Sequence, residues 1–352
     1  MADTNATDDR IRRILLDAWA HPTRKACFYT GAAVTGSNRL NAMRRWDWTP
    51  VRWRGVTGSS TIMFPLALGC PAVRTSEGGE WLAPIFTRPD QVDAFVAPDV
   101  HTGRTGEVLR SLQAVLDETG PRGIVVMADI QSPLQVAELM WDESFYIALI
   151  EAPDAVCALL DKVTAFIVEF IREFQRLAGE RLNAAGWPSI WSDHVGTMVS
   201  DDTMSLLSPA MHRQFSVPYL NRIAEACGPL IYHSCTWRRR YFDNIHAIGP
   251  VKSYNWNPGN SDDPAELIRE FSGRALIAPH LCLDMHRDND VLALNKGFAD
   301  EAEFFEYHLD CMRDDTCMYW YFSNIVQKGP VMERIYDLLD ARGYTPAAWR
   351  ME

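Results

Sequence analysis

Short runs of β-type residues alternate with longer segments of helical period along most of this chain, and this order constrains the fold more than any other feature. Seven strand-then-helix units can be counted, and they occupy residues 56–68, 123–140, 187–227, 229–248, 251–271, 275–312 and 318–339. Repetition of a strand and a helix is typical of a parallel sheet covered by helices, and an eighth unit would close the sheet. The sequence therefore predicts an α/β fold, a single (β/α)8 TIM barrel.

The same pattern predicts how the chain is divided. Residues 9–19 have helical period and precede the first unit, so residues 1–30 are predicted to form a short N-terminal helical extension. Residues 31–352 are assigned to the barrel as one domain, because no linker rich in Pro, Ser or Gly interrupts them.

Charge and hydropathy exclude several kinds of partner. The net charge is −12 and the Lys and Arg residues are dispersed, so no nucleic acid is expected to bind. Residues 238–240 form the one basic run, which is either the solvated start of a helix or an anion clamp. No segment approaches the roughly 18 apolar residues of a membrane helix. Because the N-terminus is polar and the eight cysteines lack disulfide spacing, a cytoplasmic protein with free thiols is expected.

Polar side chains follow six of the predicted strands, where a parallel barrel carries its chemistry. They are Asp129 and Gln131, Asp193 and His194, His233 and Cys235, Asn255 and Asn257, His280 and Cys282, and Asn324. Each alone fits a helix cap or a satisfied buried group, but six strands that end alike favour one shared site. Trp191 and Trp256 lie near the same strand ends, where they either line an apolar pocket or pack in the core.

The tetrapeptide at residues 232–235 is the most specific local feature. Because strand residues two apart point to the same side, a nitrogen of His233 and the sulfur of Cys235 can converge on one zinc ion. A third ligand must come from another strand, with Cys282 or His280 favoured over Cys317. The alternative is a buried histidine bonded to the backbone beside an inert cysteine.

Several segments resemble members of the uroporphyrinogen decarboxylase superfamily. They are residues 67–69, 132–134, 151–156, 159–170, 202–235, 257–258 and 329–331, so the resemblance extends over about 300 residues. It implies the same barrel and two chemistries, namely decarboxylation of a porphyrinogen and methyl transfer between corrinoid proteins and small molecules.

The residues resemble the methyltransferase branch more closely. A porphyrinogen decarboxylase carries a carboxylate where this chain has Ser60, and an Arg-rich N-terminal signature that residues 23–29 do not match. The methyltransferases that act on thiols hold zinc with His-x-Cys, which His233 and Cys235 match, and with a distant third cysteine. Ser323 and Asn324 stand in that third place, which leaves Cys282, His280 or Cys317 to supply the ligand.

The resemblance thus implies a zinc-assisted methyltransferase that serves a small methyl donor or acceptor. The corrinoid is expected on a separate protein, because residues 284–289 lack the glycine of a corrinoid-binding signature. Asp129, Asp193 and His194 are expected to act as acids, bases or orienting groups. The residues expected to contact the substrate are Gln131, Trp191, Asn255, Trp256, Asn257 and Asn324.

Two other functions fit the sequence. One is a decarboxylase-like lyase that binds a carboxylic acid through Arg39 or residues 238–240, and it would turn over without a corrinoid. The other is a non-catalytic accessory protein that binds a corrinoid or another tetrapyrrole on the same barrel. The substrate and the direction of transfer are left open by the sequence.

Overall fold

The computed structural model describes residues 28–33, 53–121, 123–184, 196–258, 260–282, 298, 300–323 and 329–342. Its strands are β1 (Phe28–Ala33), β2 (Trp53–Arg54), β3 (Ala72–Arg74), β4 (Glu80–Leu82), β5 (Ile124–Val126), β6 (Leu182–Asn183), β7 (Thr197–Ser200), β8 (Leu230–Ser234), β9 (Val251–Trp256), β10 (Leu276–Ile277), β11 (His280–Cys282) and β12 (Met318–Ser323).

The helices in the described ranges follow these strands singly or in groups. They are α1 (Met63–Ala67), α2 (Gln91–Ala94), α3 (Gly103–Thr119), α4 (Pro133–Met140), α5 (Phe145–Glu151), α6 (Pro153–Ala178), α7 (Pro209–Phe215), α8 (Val217–Cys227), α9 (Phe242–His246), α10 (Pro264–Phe271), α11 (Glu301–Cys311) and α12 (Gly329–Ala341). No helix in the described part of the chain has both the length and the apolar content needed to cross a membrane.

Parallel strands form the two sheets that matter for the site. One sheet has the order β1-β12-β10-β9-β8-β7, with β11 also paired to β12, and the other has the order β2-β5-β6. Met198 N donates to Ala184 O at 3.1 Å and Ser200 N donates to Ile130 O at 2.8 Å, so backbone hydrogen bonds link β7 to the chain that follows β6 and β5. The predicted α/β fold with a parallel sheet is confirmed.

Three helices begin with the same two-residue pattern directly after a strand or a loop. In each, a polar side chain accepts a hydrogen bond from the first turn and a proline follows it, which satisfies a free N–H and presets the helical φ. The pairs are Ser132-Pro133, Ser208-Pro209 and Asp263-Pro264. Because Ser132 starts α4 at once, the chain turns away from the sheet immediately after Gln131.

Several element boundaries agree with the sequence prediction, and the clearest differences have local causes. In the predicted unit over residues 187–227, a short 3-10 helix is followed by α7 and α8, which are two helices because Pro218 lacks the N–H that a continuous helix would require. The start of this unit, up to residue 195, lies outside the described residues, and β7 begins at Thr197. β1 begins at Phe28, before the predicted start of the barrel, and the predicted extension at residues 9–19 lies outside the described residues.

A fully buried aspartate holds the end of β7 against the helices. Asp201 Oδ2 lies 2.9 Å from His212 Nε2, and it accepts hydrogen bonds from Ser216 Oγ at 2.9 Å and from Tyr232 OH at 3.1 Å. Burial by itself raises the pKa of Asp201, but His212, Ser132 and Ser216 outweigh it and hold the pKa below its usual value. Asp201 N also donates to His233 O at 2.8 Å, so this network fixes β7 beside β8.

Replacing His212 by alanine should strongly destabilise the fold. The change leaves the Asp201 carboxylate buried without its cationic or donor partner, which costs about 3–5 kcal/mol of unfolding free energy. Urea unfolding followed by circular dichroism measures this. The exposed His101, changed to alanine, is the matched control and should leave the transition where it is. A His212→Ala transition as late as that of the control would contradict the structural role of the pair.

Candidate functional site

A row of polar residues crosses four neighbouring strand ends at one level. Gln131 pairs with Ser200, Ser200 with His233, and His233 with Asn255, all in parallel register. Residues at one level of a parallel sheet project to the same face. Gln131, His233 and Asn255 are each at most 3% exposed, so their polar atoms meet inside the protein rather than in solvent.

Asn255 determines which nitrogen of His233 carries a proton. Its Nδ2 donates to Ala278 O, so its Oδ1 faces His233 Nδ1 at hydrogen-bond distance. Because Oδ1 only accepts, Nδ1 must be the protonated nitrogen. The lone pair of neutral His233 therefore lies on Nε2, which is the form that ligates a metal.

Three potential ligands surround that lone pair. His233 Nε2 lies 3.4 Å from Cys235 Sγ and 3.6 Å from Asp202 Oδ1, and the three ligand atoms lie within 4.8 Å of one another. Cys235 N donates to Asp202 Oδ1 at 2.5 Å, which fixes the carboxylate beside the sulfur. One nitrogen, one sulfur and one oxygen atom form a donor set that suits zinc.

The Cys235 thiol is held in its neutral form by its surroundings. Burial raises the pKa of Cys235, and the charge and hydrogen bond of Asp202 raise it further. Since only a thiolate is a strong ligand or nucleophile, a cation beside the sulfur is what would offset this rise. The site thus needs a positive charge to make Cys235 reactive.

Asp129 and Gln131 form a second polar pair next to these ligands. Gln131 Nε2 donates to Asp129 Oδ1 at 2.8 Å, and Asp129 N donates to Ser59 Oγ at 2.7 Å. Burial raises the pKa of Asp129 to about 6, a rise that Asp202 increases and that His233 and Gln131 oppose. A carboxyl group with this pKa can exchange a proton near neutral pH.

The structure brings His233 and Cys235 together, as their spacing predicts, while their role as metal ligands stays a prediction. Among the side chains that the structure describes, Asp202 completes the group, and the fully buried Cys317, just before β12, does not belong to it. Cys282 and His280 lie in β11, and their role as ligands stays a prediction. The sequence signal for Asp202 was the β-type run of β7 followed at once by two aspartates.

Trp256 packs in the core, which is the alternative that the sequence left open, and its contact with a substrate stays a prediction. Trp256 is fully buried, and its ring centroid lies 5.5 Å from that of Trp237. Trp237 in turn packs edge-to-face on Phe271 of α10 at 5.0 Å. Adjacent strand residues face opposite sides, so Trp256 points toward the helices while Asn255 points toward His233.

The remaining predicted contacts divide into two groups. Asn257 is buried, and its carbonyl accepts from Ser261 Oγ at 2.9 Å, while its contact with a substrate stays a prediction. The residues that lie outside the described ranges are Trp191, Asp193, His194 and Asn324. Their roles stay predictions as well.

The basic run at residues 238–240 is a solvated helix start rather than an anion clamp. Arg238 forms an ion pair with Asp262 at 3.0 Å, and Arg239 forms one with Glu266 at 3.5 Å. Arg240 lies over the ring of Tyr241 at 4.8 Å. All three arginines are exposed and are already engaged by acidic or aromatic neighbours.

Comparison with known proteins agrees with this architecture. A solved methyltransferase from Methanosarcina mazei superposes with a TM-score of 0.60 at 13% identity, covering 87% of this chain and 82% of that one. A bee venom hyaluronidase covers 90% of this chain and 96% of its own at 9% identity, but its TM-score of 0.38 supports no inference. No curated protein matches the sequence.

The family model of uroporphyrinogen decarboxylase, URO-D, matches residues 56–276, which is more than half of the chain. These residues include the whole polar row and the three converging ligands. The resemblance seen in the sequence is confirmed, and the chain belongs to the uroporphyrinogen decarboxylase family.

Proposed function

We propose that this protein is a methyltransferase that moves a methyl group between a small substrate and a separate corrinoid protein, with zinc held by Asp202, His233 and Cys235. The observation that carries the proposal is the convergence of these three ligand atoms within 4.8 Å, in a family that includes methyltransferases. Catalytic zinc sites commonly have three protein ligands and one open position, so Cys282 is not required as a further ligand.

The zinc would supply Lewis acidity, which keeps a thiol ionised or makes a methyl group on oxygen or nitrogen easier to transfer. The protein's own residues do the rest. Asn255 holds His233 with Nε2 free, and Asp202 lies between Cys235 N and His233 Nε2. Burial of the row excludes water, which favours a displacement between two positioned reactants.

Asp129 is the proposed general acid or base of the site. Its pKa of about 6 lets it donate or accept a proton at neutral pH, and Gln131 orients its Oδ1. Asp193 and His194 are proposed to assist it, as the sequence predicts. Gln131, Trp191, Asn257 and Asn324 are proposed to contact the substrate.

The fold has two further proposed features. We infer that the two parallel sheets close into an eight-stranded barrel, which is the form predicted from the strand-then-helix units. The corrinoid protein would then dock over the carboxyl ends of the strands, where His233 and Cys235 lie. Of the two anchors that the carboxylic acid lyase would use, residues 238–240 are engaged by acidic or aromatic neighbours, and Arg39 lies outside the described residues.

Metal analysis and a methyl-transfer assay together test the proposal. We expect about one zinc per chain in the wild type and a large loss in Asp202→Asn, His233→Ala and Cys235→Ser. The exposed His101→Ala and the half-buried Cys157→Ser are matched controls and should retain the metal. Methylcobalamin, mixed with the protein and a methyl acceptor, should be demethylated only by the variants that keep zinc.

Other outcomes would favour the rival functions. Turnover of a carboxylic acid without corrinoid would indicate the lyase. Tight corrinoid binding without zinc, unaffected by His233→Ala, would indicate the accessory protein. Either result would reject the methyltransferase.

Substitution of Asn255 should weaken zinc binding, although Asn255 is not one of the proposed zinc ligands. Leucine at this position removes the acceptor that keeps the proton on His233 Nδ1, and loss of such a partner lowers metal affinity roughly 10- to 100-fold. Asn255→Asp keeps an oxygen beside Nδ1 and should recover much of the affinity. Competition with a chromogenic chelator measures the zinc affinity of each variant. Equal affinity in wild type and Asn255→Leu would reject the positioning role.

The ionisation of Asp129 should appear as a pH-dependent stability in zinc-free protein. Because its pKa is raised to about 6 in the folded state, its contribution to stability is present at low pH and is lost as the pH rises through 6. A rise of about two pKa units corresponds to about 3 kcal/mol. Asparagine has no charge to bury. The free energy of unfolding of Asp129→Asn relative to that of the wild type should therefore increase by up to this amount between pH 4 and about pH 7.

Thermal or urea unfolding at both pH values, with a chelator present, measures the difference. An effect of Asp129→Asn that is the same at both pH values would contradict the raised pKa. Addition of zinc should reduce the pH dependence, because a nearby cation favours the ionised carboxylate.

A further inference from the structure

Gln131 has a buried acceptor with no hydrogen-bond partner among the residues that the structure describes. Its Nε2 donates to Asp129 Oδ1 at 2.8 Å, so the orientation of the amide is fixed and Oε1 can accept a hydrogen bond from another group. The side chain is only 3% exposed, so bulk water does not reach it freely. A buried acceptor without a donor is costly, and a bound water, an ion or a ligand commonly completes such a group.

This acceptor lies within the candidate site. Gln131 is level with His233 through Ser200, and residues in this register project to one face of the sheet. Its partner Asp129 interacts electrostatically with His233 and Asp202. A ligand that reaches Gln131 Oε1 therefore also lies near Asp129 and the three converging ligands.

The charge of the described part of the site is negative. Asp129 and Asp202 are its carboxylates, and the basic run at residues 238–240 is held elsewhere by Asp262 and Glu266. If zinc binds Asp202 and a Cys235 thiolate, their charges cancel and the carboxylate of Asp129 remains. With or without the metal, an anionic group next to Asp129 would be repelled, and a cation would be attracted.

We infer that the substrate of this site is a protonated alkylamine, which donates an N–H to Gln131 Oε1 and places its charge beside Asp129. The inference rests on the proposed function, because it names the substrate class of the same site. As a methyl acceptor, the bound ammonium ion would give its proton to Asp129, and the neutral nitrogen would then displace the methyl group from the corrinoid, whose cobalt would keep the electron pair of the broken bond. An ether lacks a hydrogen-bond donor for Gln131. A carboxylate or a thiolate lacks the donor too, and its negative charge is repelled by Asp129. An alcohol has a donor but no positive charge. An ammonium ion supplies both.

Four small ligands distinguish the requirement for a positive charge from the requirement for a hydrogen-bond donor. Dimethylammonium has the charge and the N–H, tetramethylammonium has only the charge, methanol has only the donor, and acetate is an anion. Binding is measured by isothermal titration at pH 7 with the protein as purified, and its zinc content is determined on the same preparation. We expect dimethylammonium to bind at least about tenfold more tightly than any of the others.

The Gln131→Met variant tests the acceptor itself. It keeps the side-chain length and removes the amide, so the preference for dimethylammonium over tetramethylammonium should disappear. Gln113→Met is the matched control, because Gln113 donates to Asp117 in the same way on the exposed face of α3. It should retain the preference.

The outcomes separate this inference from the proposed function. Equal binding of all four ligands, preference for acetate or methanol, or no binding would overturn the amine class even in protein that contains zinc. Selective binding of dimethylammonium by wild type and by Gln113→Met supports it, even if zinc is absent and the metal site is rejected. If Gln131→Met does not fold, the wild-type ligand series still decides.

Discussion

The parallel register of β7, β8 and β9 is the constraint on which the site depends. It places Ser200, His233 and Asn255 at one level, and the bond from Asp201 N to His233 O holds that level fixed. Side chains alternate between the faces of a sheet, so a slip of one residue in β9 would bring Trp256 to the site and bury Asn255 under the helices. The aromatic packing of Trp256 on Trp237 opposes such a slip, and the core thereby maintains the geometry of the polar row.

Two aspartates in succession show how one turn serves both stability and chemistry. Asp201 Oδ2 contacts His212, Ser216 and Tyr232 and anchors the turn to the helices. Asp202 contacts Cys235 N and approaches His233 Nε2. The hydrogen bonds of Asp201 thus stabilise the surroundings of two groups that are individually unfavourable, namely the desolvated Asp129 and the unpaired oxygen of Gln131. A protein tolerates such groups where they serve a ligand, and stable surroundings offset their cost.

Local patterns predict the strands and the residues at their ends, and tertiary hydrogen bonds decide the rest. β9 and α10 lie within their predicted unit, residues 251–271, because β-type residues, a capping aspartate and a proline mark them unambiguously. His233 and Cys235 converge as spacing indicates. Spacing does not predict the approach of Asp202 to His233, because that approach depends on a backbone contact between distant residues. It does not predict the core packing of Trp256 either, because nearness to a strand end does not give the face of the sheet.

The placement of negative charge in the described site differs from the one that the resemblance implies for a porphyrinogen decarboxylase. Ser60 stands where, by that resemblance, a decarboxylase would carry a carboxylate, and the adjacent Ser59 accepts a hydrogen bond from Asp129 N. The carboxylates of the described site are instead Asp129 and Asp202, beside an imidazole and a thiol. A carboxylate beside nitrogen and sulfur ligands favours binding of a cation, whereas one facing a pyrrole ring favours charge on the ring. The proposed metal-assisted transfer therefore depends on where the described carboxylates lie, beside the imidazole of His233 and the thiol of Cys235.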